Sequence, residues 1–365
     1  MQSLFKGIYQ NKTVLVTGHT GFKGSWLAYW LTRMGANVIG YSLEAPTNPN
    51  HISFLNLNIT SILGDIRDMS ALDQTFETYR PDIVFHLAAQ PLVRFSYENP
   101  IETYETNVMG TLKVFEACRK YNVRAIINIT SDKAYENKEW LWGYRENDPM
   151  GGYDPYSSSK GCADLLASSY RNSYFNLNEY KKTHNTLLAS CRAGNVIGGG
   201  DWAKDRLITD IMLSISQNKT INIRNPHAIR PWQHVLEPLS GYLHVGQKLL
   251  EGRQEFGEAW NFGPSDEKII CVEDVVKNIK KYWDKAVYAV NPDESKLHEA
   301  NFLRLDCSKA HIALKWNNVW DSNITFEKTV KWYKSFYENN AKILTKDDLE
   351  SYVHDAKVKK IEWAL

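Results

Sequence analysis

The run Thr17-Gly18-His-Thr-Gly21-Phe-Lys-Gly24 places glycines three residues apart. It directly follows a β-branched stretch, Thr13-Val-Leu-Val-Thr17, and precedes a helical pattern from Gly24 to Met34 with Trp26, Leu27, Trp30 and Leu31 on one face. Glycine lets the chain turn sharply there and lets backbone N–H groups approach an anion at the helix N-terminus. The strand–turn–helix pattern then recurs. Asn37-Val-Ile-Gly-Tyr41, Asp82-Ile-Val-Phe-His-Leu87, Ala125-Ile-Ile-Asn-Ile-Thr130 and Thr186-Leu-Leu-Ala-Ser-Cys191 read as buried strands. Asn107 to Tyr121 and Ser157 to Tyr174 read as helices. This alternation predicts an α/β fold built on a doubly wound parallel sheet that binds a dinucleotide.

Around that turn the candidate cofactor contacts are Gly18, Thr20, Gly21, Phe22 and Gly24. Ser42 ends the second strand, and Asp65 with Ile66 follows another short strand. Asp65 is a candidate acceptor for an adenine amino group, with a helix N-cap as its plainer role. Leu87-Ala88-Ala89-Gln90 ends a strand in small residues and lets the backbone run beside a cofactor. No arginine follows the second strand to hold a 2′-phosphate, which favours NAD over NADP.

Formal net charge is +1, so no global field favours nucleic acid or a membrane surface. No apolar run approaches the ~20 residues of a membrane span, and the N-terminal stretch has no secretory pattern. The five cysteines lack paired spacing, and the ten histidines form no HxH or HExxH cluster. The expectations are a cytoplasmic protein with free thiols and no metal. The polar segment from Ala341 onward reads as a solvated surface helix.

Tyr156 and Lys160 are four residues apart and share a helix face. A phenol with a pKa near 10 is a poor base at neutral pH. A lysine cation at ~4 Å favours the phenolate by roughly three units at an effective dielectric of about 20. Ser131 ends a strand upstream, followed by Asp132 and Lys133. An acid and a base beside a hydride-transfer pair point to a reaction that moves water as well as a hydride. Asp132 is the candidate acid, which must stay protonated through desolvation. Lys133 is the candidate base, whose reference pKa of about 10.4 must fall by roughly two to three units. The plainer alternative is a structural ion pair between the two.

The glycine run, Leu87-Ala-Ala, Ser131 and Tyr156-Ser-Ser-Ser-Lys160 resemble the extended short-chain dehydrogenase/reductase family. The resemblance implies a Rossmann-type domain, NAD(P), a nucleotide-sugar substrate, and Ser131 on the sugar's O4. Most of the family's 4,6-dehydratases carry Thr-Asp-Glu where this chain has Ser131-Asp132-Lys133. That sequence, with Glu139-Trp-Leu-Trp-Gly-Tyr-Arg-Glu-Asn-Asp-Pro-Met-Gly-Gly-Tyr-Asp-Pro155 and Arg192-Ala-Gly-Asn-Val-Ile-Gly-Gly-Gly-Asp-Trp202, is similar to the dehydratase branch acting on CDP-D-glucose. The similarity runs from Lys12 to about Trp332. It implies a 4-dehydro-6-deoxy product that feeds bacterial surface polysaccharides, including lipopolysaccharide O-antigen. By the same resemblance Asn195, Arg206, Arg230 and His298 contact the substrate, Arg94 reaches the sugar or a partner subunit, and the chain forms a homodimer or tetramer. Residues 1–192 are then the NAD-binding domain, joined by a returning segment near 228–255. Residues 193–365 form a smaller mixed α/β substrate domain. The competing readings are a nucleotide-sugar 4-epimerase, a dehydratase for another nucleotide hexose, and a non-catalytic NAD-binding scaffold.

Overall fold

A computed structural model describes residues 1–223, 231–265, 271–290 and 303–365. Strands β1 (Thr13–Thr17), β2 (Asn37–Ser42), β3 (Thr60–Leu63), β4 (Ile83–His86), β5 (Ala125–Ile129) and β6 (Leu187–Ala193) alternate with helices. Two short strands follow, β7 (Val196–Ile197) and β8 (Ile221–Ile223), then β9 (Gln233–His234), β10 (Ala259–Phe262) and β11 (Tyr288–Val290). The main sheet has the order β10-β6-β5-β4-β1-β2-β3, and every pairing in it is parallel. The strand order therefore reverses between β1 and β4, and a ligand crevice opens at that switch point. The paired strands β7 and β9, and β8 and β11, lie outside this sheet.

Each face of the sheet is covered. Helices Met69–Tyr79, Thr111–Lys120 and Pro155–Ser173 bury Leu72, Phe76, Val114, Phe115, Ala167 and Tyr170 on one side. Helices Phe22–Arg33 and Leu236–Leu250 bury Trp26, Trp30, Leu239 and Leu243 on the other. All residues of Leu236–Leu250 are buried, as expected of a helix without a charged stripe that faces no solvent. After it the chain re-enters the sheet as β10 beside β6.

The C-terminal segment departs from the sequence expectation. Helix Thr345–Val358 is not a solvated surface helix. It buries Leu349, Tyr352 and Ala356, and beyond it Trp363 stacks on Phe5 with ring centroids 5.2 Å apart. The polar composition misled because the few apolar residues fall on one inward stripe. Glu237 anchors this layer. Its carboxylate accepts hydrogen bonds from the backbone N–H groups of Val319 and Trp320 and from the Tyr352 hydroxyl.

Burial lifts the Glu237 carboxyl from its ordinary 4.5 to about 7. A carboxyl with a raised folded value holds its proton longer in the folded chain. Its stabilising effect is complete below the unfolded value and lost as pH climbs through the folded one. Stability attributable to Glu237 should thus fall between pH 4.5 and about 7, by on the order of 3 kcal/mol. Thermal unfolding across this range should show a flatter profile for Glu237→Gln than for the parent.

Candidate active site

The carboxyl ends of β1, β2, β4, β5 and β6 open into one cleft of about 1920 Å³. Every described residue expected in the site lines it: Gly18, Thr20, Gly21, Phe22, Gly24, Ser42, Asp65, Ile66, Leu87, Ala88, Ala89, Gln90, Arg94, Ser131, Asp132, Lys133, Tyr156, Lys160, Asn195 and Arg206. Arg230 and His298 lie outside the described residues. No three His, Cys, Asp or Glu side chains among the described residues are grouped as metal ligands.

The glycine turn forms half of the cleft. Gly18 has φ +74°, and a Cβ there would lie 2.8 Å from the Ala88 backbone N. A Cβ at Gly24 would lie 2.1 Å from the Gly18 carbonyl oxygen. The turn thus closes tightly on β4 and on its own helix, and leaves the space above open for a pyrophosphate. The Thr17 hydroxyl holds the two strands at the switch point. It bonds His86 Nδ1 at 2.8 Å and accepts from the Leu87 and Ala88 N–H groups at 3.2 Å. These features fit a dinucleotide.

Some side chains in this half are already engaged. Thr20 and Ser42 share a hydroxyl–hydroxyl bond of 2.5 Å. The Gln90 amide folds into its own loop, donating to Thr103 Oγ1 and the Leu92 carbonyl. Asp65 is no helix N-cap, since Asp68 caps helix Met69–Tyr79. The Asp65 carboxylate is instead gripped by Arg67, with Nη2–Oδ2 at 2.6 Å, which holds it below its ordinary pKa.

The other half of the cleft is built on a one-turn 3₁₀ segment, Asp132–Ala134, capped by the Ser131 side chain. Ser131 Oγ donates to Asp132 Oδ1 at 3.0 Å, accepts from the Lys133 N–H at 3.3 Å, and draws down the pKa of Tyr156 nearby. Tyr156 and Lys160 project from helix Pro155–Ser173. The Lys160 ammonium points to the Ile129 carbonyl at 3.4 Å. Beneath the turn lies a buried ion pair, Arg192–Asp164, at 3.1 Å. Asp164 also accepts from the Thr130 hydroxyl at 2.6 Å, and Arg192 donates to the Tyr135 hydroxyl at 2.6 Å. The turn is therefore pinned at both ends to the helix that carries Tyr156 and Lys160.

The phenol does not behave as the Tyr/Lys spacing suggests. Burial raises Tyr156 to about 12, Asp132 adds to the rise, and Arg206 is the cation drawing it down. Lys160 is itself desolvated to about 8. Taking a phenolate out of water here outweighs the downward pull of Ser131 and Arg206.

Arg206, expected on the nucleotide, pairs with Asp201 at 2.5 Å and acts electrostatically on Tyr156. Arg94 faces Asp205 at 3.9 Å. The backbone carbonyl of Asn195 holds the Gln233 N–H at 3.1 Å. Sequence reasoning missed Lys23, a cleft lysine that burial lowers to about 8 in the field of Arg206, Asp132, Lys160 and Asp201. It also missed the Arg192–Asp164 clamp. Both stand inside or beside motifs already quoted. Nothing in one sequence says that their side chains converge.

With this geometry in place, comparison with known proteins is direct. A family model described as GDP-mannose 4,6 dehydratase matches residues 15–332. The chain belongs to this dehydratase family. It is 53% identical over 352 residues to the CDP-glucose 4,6-dehydratase of Salmonella typhimurium, covering 95% of this chain and 98% of that protein. The CDP-paratose 2-epimerase of Salmonella typhi is 26% identical over 343 residues, 88% of this chain and 99% of that one. Among solved structures, dTDP-glucose 4,6-dehydratase from Bacillus anthracis in complex with NAD superposes with a TM-score of 0.73 at 20% identity, covering 90% and 98%. An epimerase from Methanothermobacter thermautotrophicus reaches 0.78 at 24% identity, covering 93% and 95%. Both confirm the doubly wound fold.

Removing one partner of a buried ion pair leaves an uncompensated charge, which costs about 3–5 kcal/mol. Asp164→Asn should lose that much stability in chemical denaturation, and more than a surface Asp→Asn control.

Proposed function

We propose that this protein dehydrates CDP-D-glucose to CDP-4-dehydro-6-deoxy-D-glucose, with NAD as its cofactor. The observation that carries the reading is the placing of Ser131, Asp132 and Lys133 on one turn facing Tyr156 and Lys160 beside the glycine cradle. The 53% identity to a CDP-glucose 4,6-dehydratase over nearly the whole chain supports the nucleotide and the reaction.

Gly18, Thr20, Gly21, Phe22, Gly24, Ser42, Asp65, Ile66 and Leu87 to Gln90 line the part of the cleft that would hold NAD, which would supply the hydride acceptor for C4 and the hydride donor for C6. Tyr156, backed by Lys160, takes the proton from O4, and Ser131 positions that oxygen. The C4 ketone then acidifies the C5 proton, which Lys133 removes. Asp132 protonates the departing C6 hydroxyl. Arg230 neutralises the pyrophosphate, to which arginine can donate twice, the Asn195 amide contacts it, and Arg206 contacts the nucleotide. His298 and Arg94 complete the substrate contacts. Residues 1–192, joined by the segment returning to the main sheet, form the NAD-binding domain. The rest mainly holds the nucleotide sugar.

No helix among the described residues is long and apolar enough to cross a membrane. A cytoplasmic location is part of the same proposal. Ile101, Met109 and Leu165 are exposed on the segments around helices Thr111–Lys120 and Pro155–Ser173, which supports pairing into a homodimer or tetramer through this face.

Incubating the protein with CDP-D-glucose and NAD should lower the sugar nucleotide's mass by one water, with no net reduced NAD. An unchanged mass would rule the reaction out. Lys133→Met should still oxidise C4, seen as reduced NAD accumulating on the enzyme, while water loss drops by roughly two to four orders of magnitude. Normal turnover in that variant would remove Lys133 as the base.

A further inference from the structure

The proposed reaction has a proton balance that the geometry answers. Oxidation removes a hydride from C4 and a proton from O4, leaving a C4=O bond. Elimination removes a proton from C5, forms C5=C6 and breaks the C6–O bond as that oxygen gains a proton and leaves as water. The hydride that left C4 then forms the new C6–H bond, and the C5 proton is restored. Over a cycle the Tyr156 side has therefore gained a proton and Asp132 has lost one. The enzyme returns to its starting state once a proton has passed from one to the other, directly or through the solvent.

Ser131 joins them. Its hydroxyl donates to Asp132 Oδ1 at 3.0 Å, and it stands close enough to the Tyr156 phenol to draw the phenol's pKa down. All three side chains line the cleft, and Ser131 and Asp132 are buried. We propose that Tyr156, Ser131 and Asp132 form one proton wire, carrying the proton that leaves O4 directly to the carboxyl that protonates the departing C6 hydroxyl. The Tyr156 O–H proton moves to Ser131 as the O4 proton replaces it, and the Ser131 proton moves to Asp132. Tyr156 then never stands as a free phenolate, which agrees with burial holding its pKa at about 12. The oxidation step arms the acid for the next step.

The charges around the wire support this direction. Lys23 from the glycine turn and Lys160 from helix Pro155–Ser173 face it, with Lys133 on the turn itself. Arg206, paired with Asp201, acts on the phenol from the loop before residue 207, and Asp154 acts from the helix N-cap. The second Asp132 oxygen packs near Gly194. Of these cations, Lys23 acts on Asp132 itself, at the end where the wire delivers its proton.

The inference rests on the dehydratase reading, and the test separates the two. A weakly buffered holoenzyme is mixed with CDP-D-glucose in a stopped-flow instrument with a pH indicator, while the absorbance of reduced NAD is followed. The wild type should form and consume reduced NAD with no proton appearing in the medium. Asp132→Asn should accumulate reduced NAD and release a lasting proton for each NAD reduced. Ser131→Ala should release the proton and then take it back as water is lost, and Ser131→Thr should restore the wild-type trace. A wild-type enzyme that releases the proton, or an Asp132→Asn variant that retains it, overturns the wire even though dehydration itself stands. Should Ser131→Ala fail to oxidise C4, Asp132→Asn decides alone. Absence of water loss in the wild type would instead sink the dehydratase reading.

Discussion

The buried pair of Arg192 and Asp164 is the interaction on which the site depends. Its two members come from the end of β6 and the middle of helix Pro155–Ser173. Through Thr130 and Tyr135 they reach both flanks of the turn that carries Ser131, Asp132 and Lys133. A buried ion pair is weak evidence of net stability, because desolvation cancels much of the attraction. What such a pair fixes is geometry. Here each oxygen of Asp164 and several nitrogens of Arg192 have assigned partners, including the Glu146 carbonyl. The distance between the helix-borne phenol and the serine after β5 is therefore braced by Arg192 and Asp164, which are not among the residues lining the cleft.

Much of this was legible in the chain. The glycine spacing after a β-branched run, and the repeated strand–helix rhythm, identify the parallel sheet because a buried parallel strand and its crossover helix each leave a local pattern. The Tyr156/Lys160 and Ser131-Asp132-Lys133 groups are equally local. Less legible were contacts between distant segments. Arg206 reads as a loop cation, yet it reaches the catalytic phenol because Asp201 holds it there. Strand β10 completes the sheet from beyond residue 255, and the short run Ala259–Phe262 carries no strand signal distinct from a buried loop. The C-terminal helix reads as solvated on composition, whereas its burial follows from partners such as Phe5 and Glu237.

The Tyr156 environment shows how two electrostatic effects compete in one site. Spacing along a helix brings an ammonium near a phenol, and by Coulomb's law alone that should create a base. The same burial that strengthens the attraction also penalises both charged forms, and it moves the phenol up and the lysine down. Burial thus favours the neutral form of each group.

The clamp around the catalytic turn also bears on how chemistry can change within this fold. Its bonds run through Thr130, Tyr135, Asp164 and Arg192, and none of them uses the side chain at 132 or 133. The frame that sets the turn is thus separate from the side chains at 132 and 133, apart from the bond that Asp132 accepts from Ser131. Under the proposed function, such a scaffold leaves its acid and base positions open to change while the turn that presents them stays braced from below.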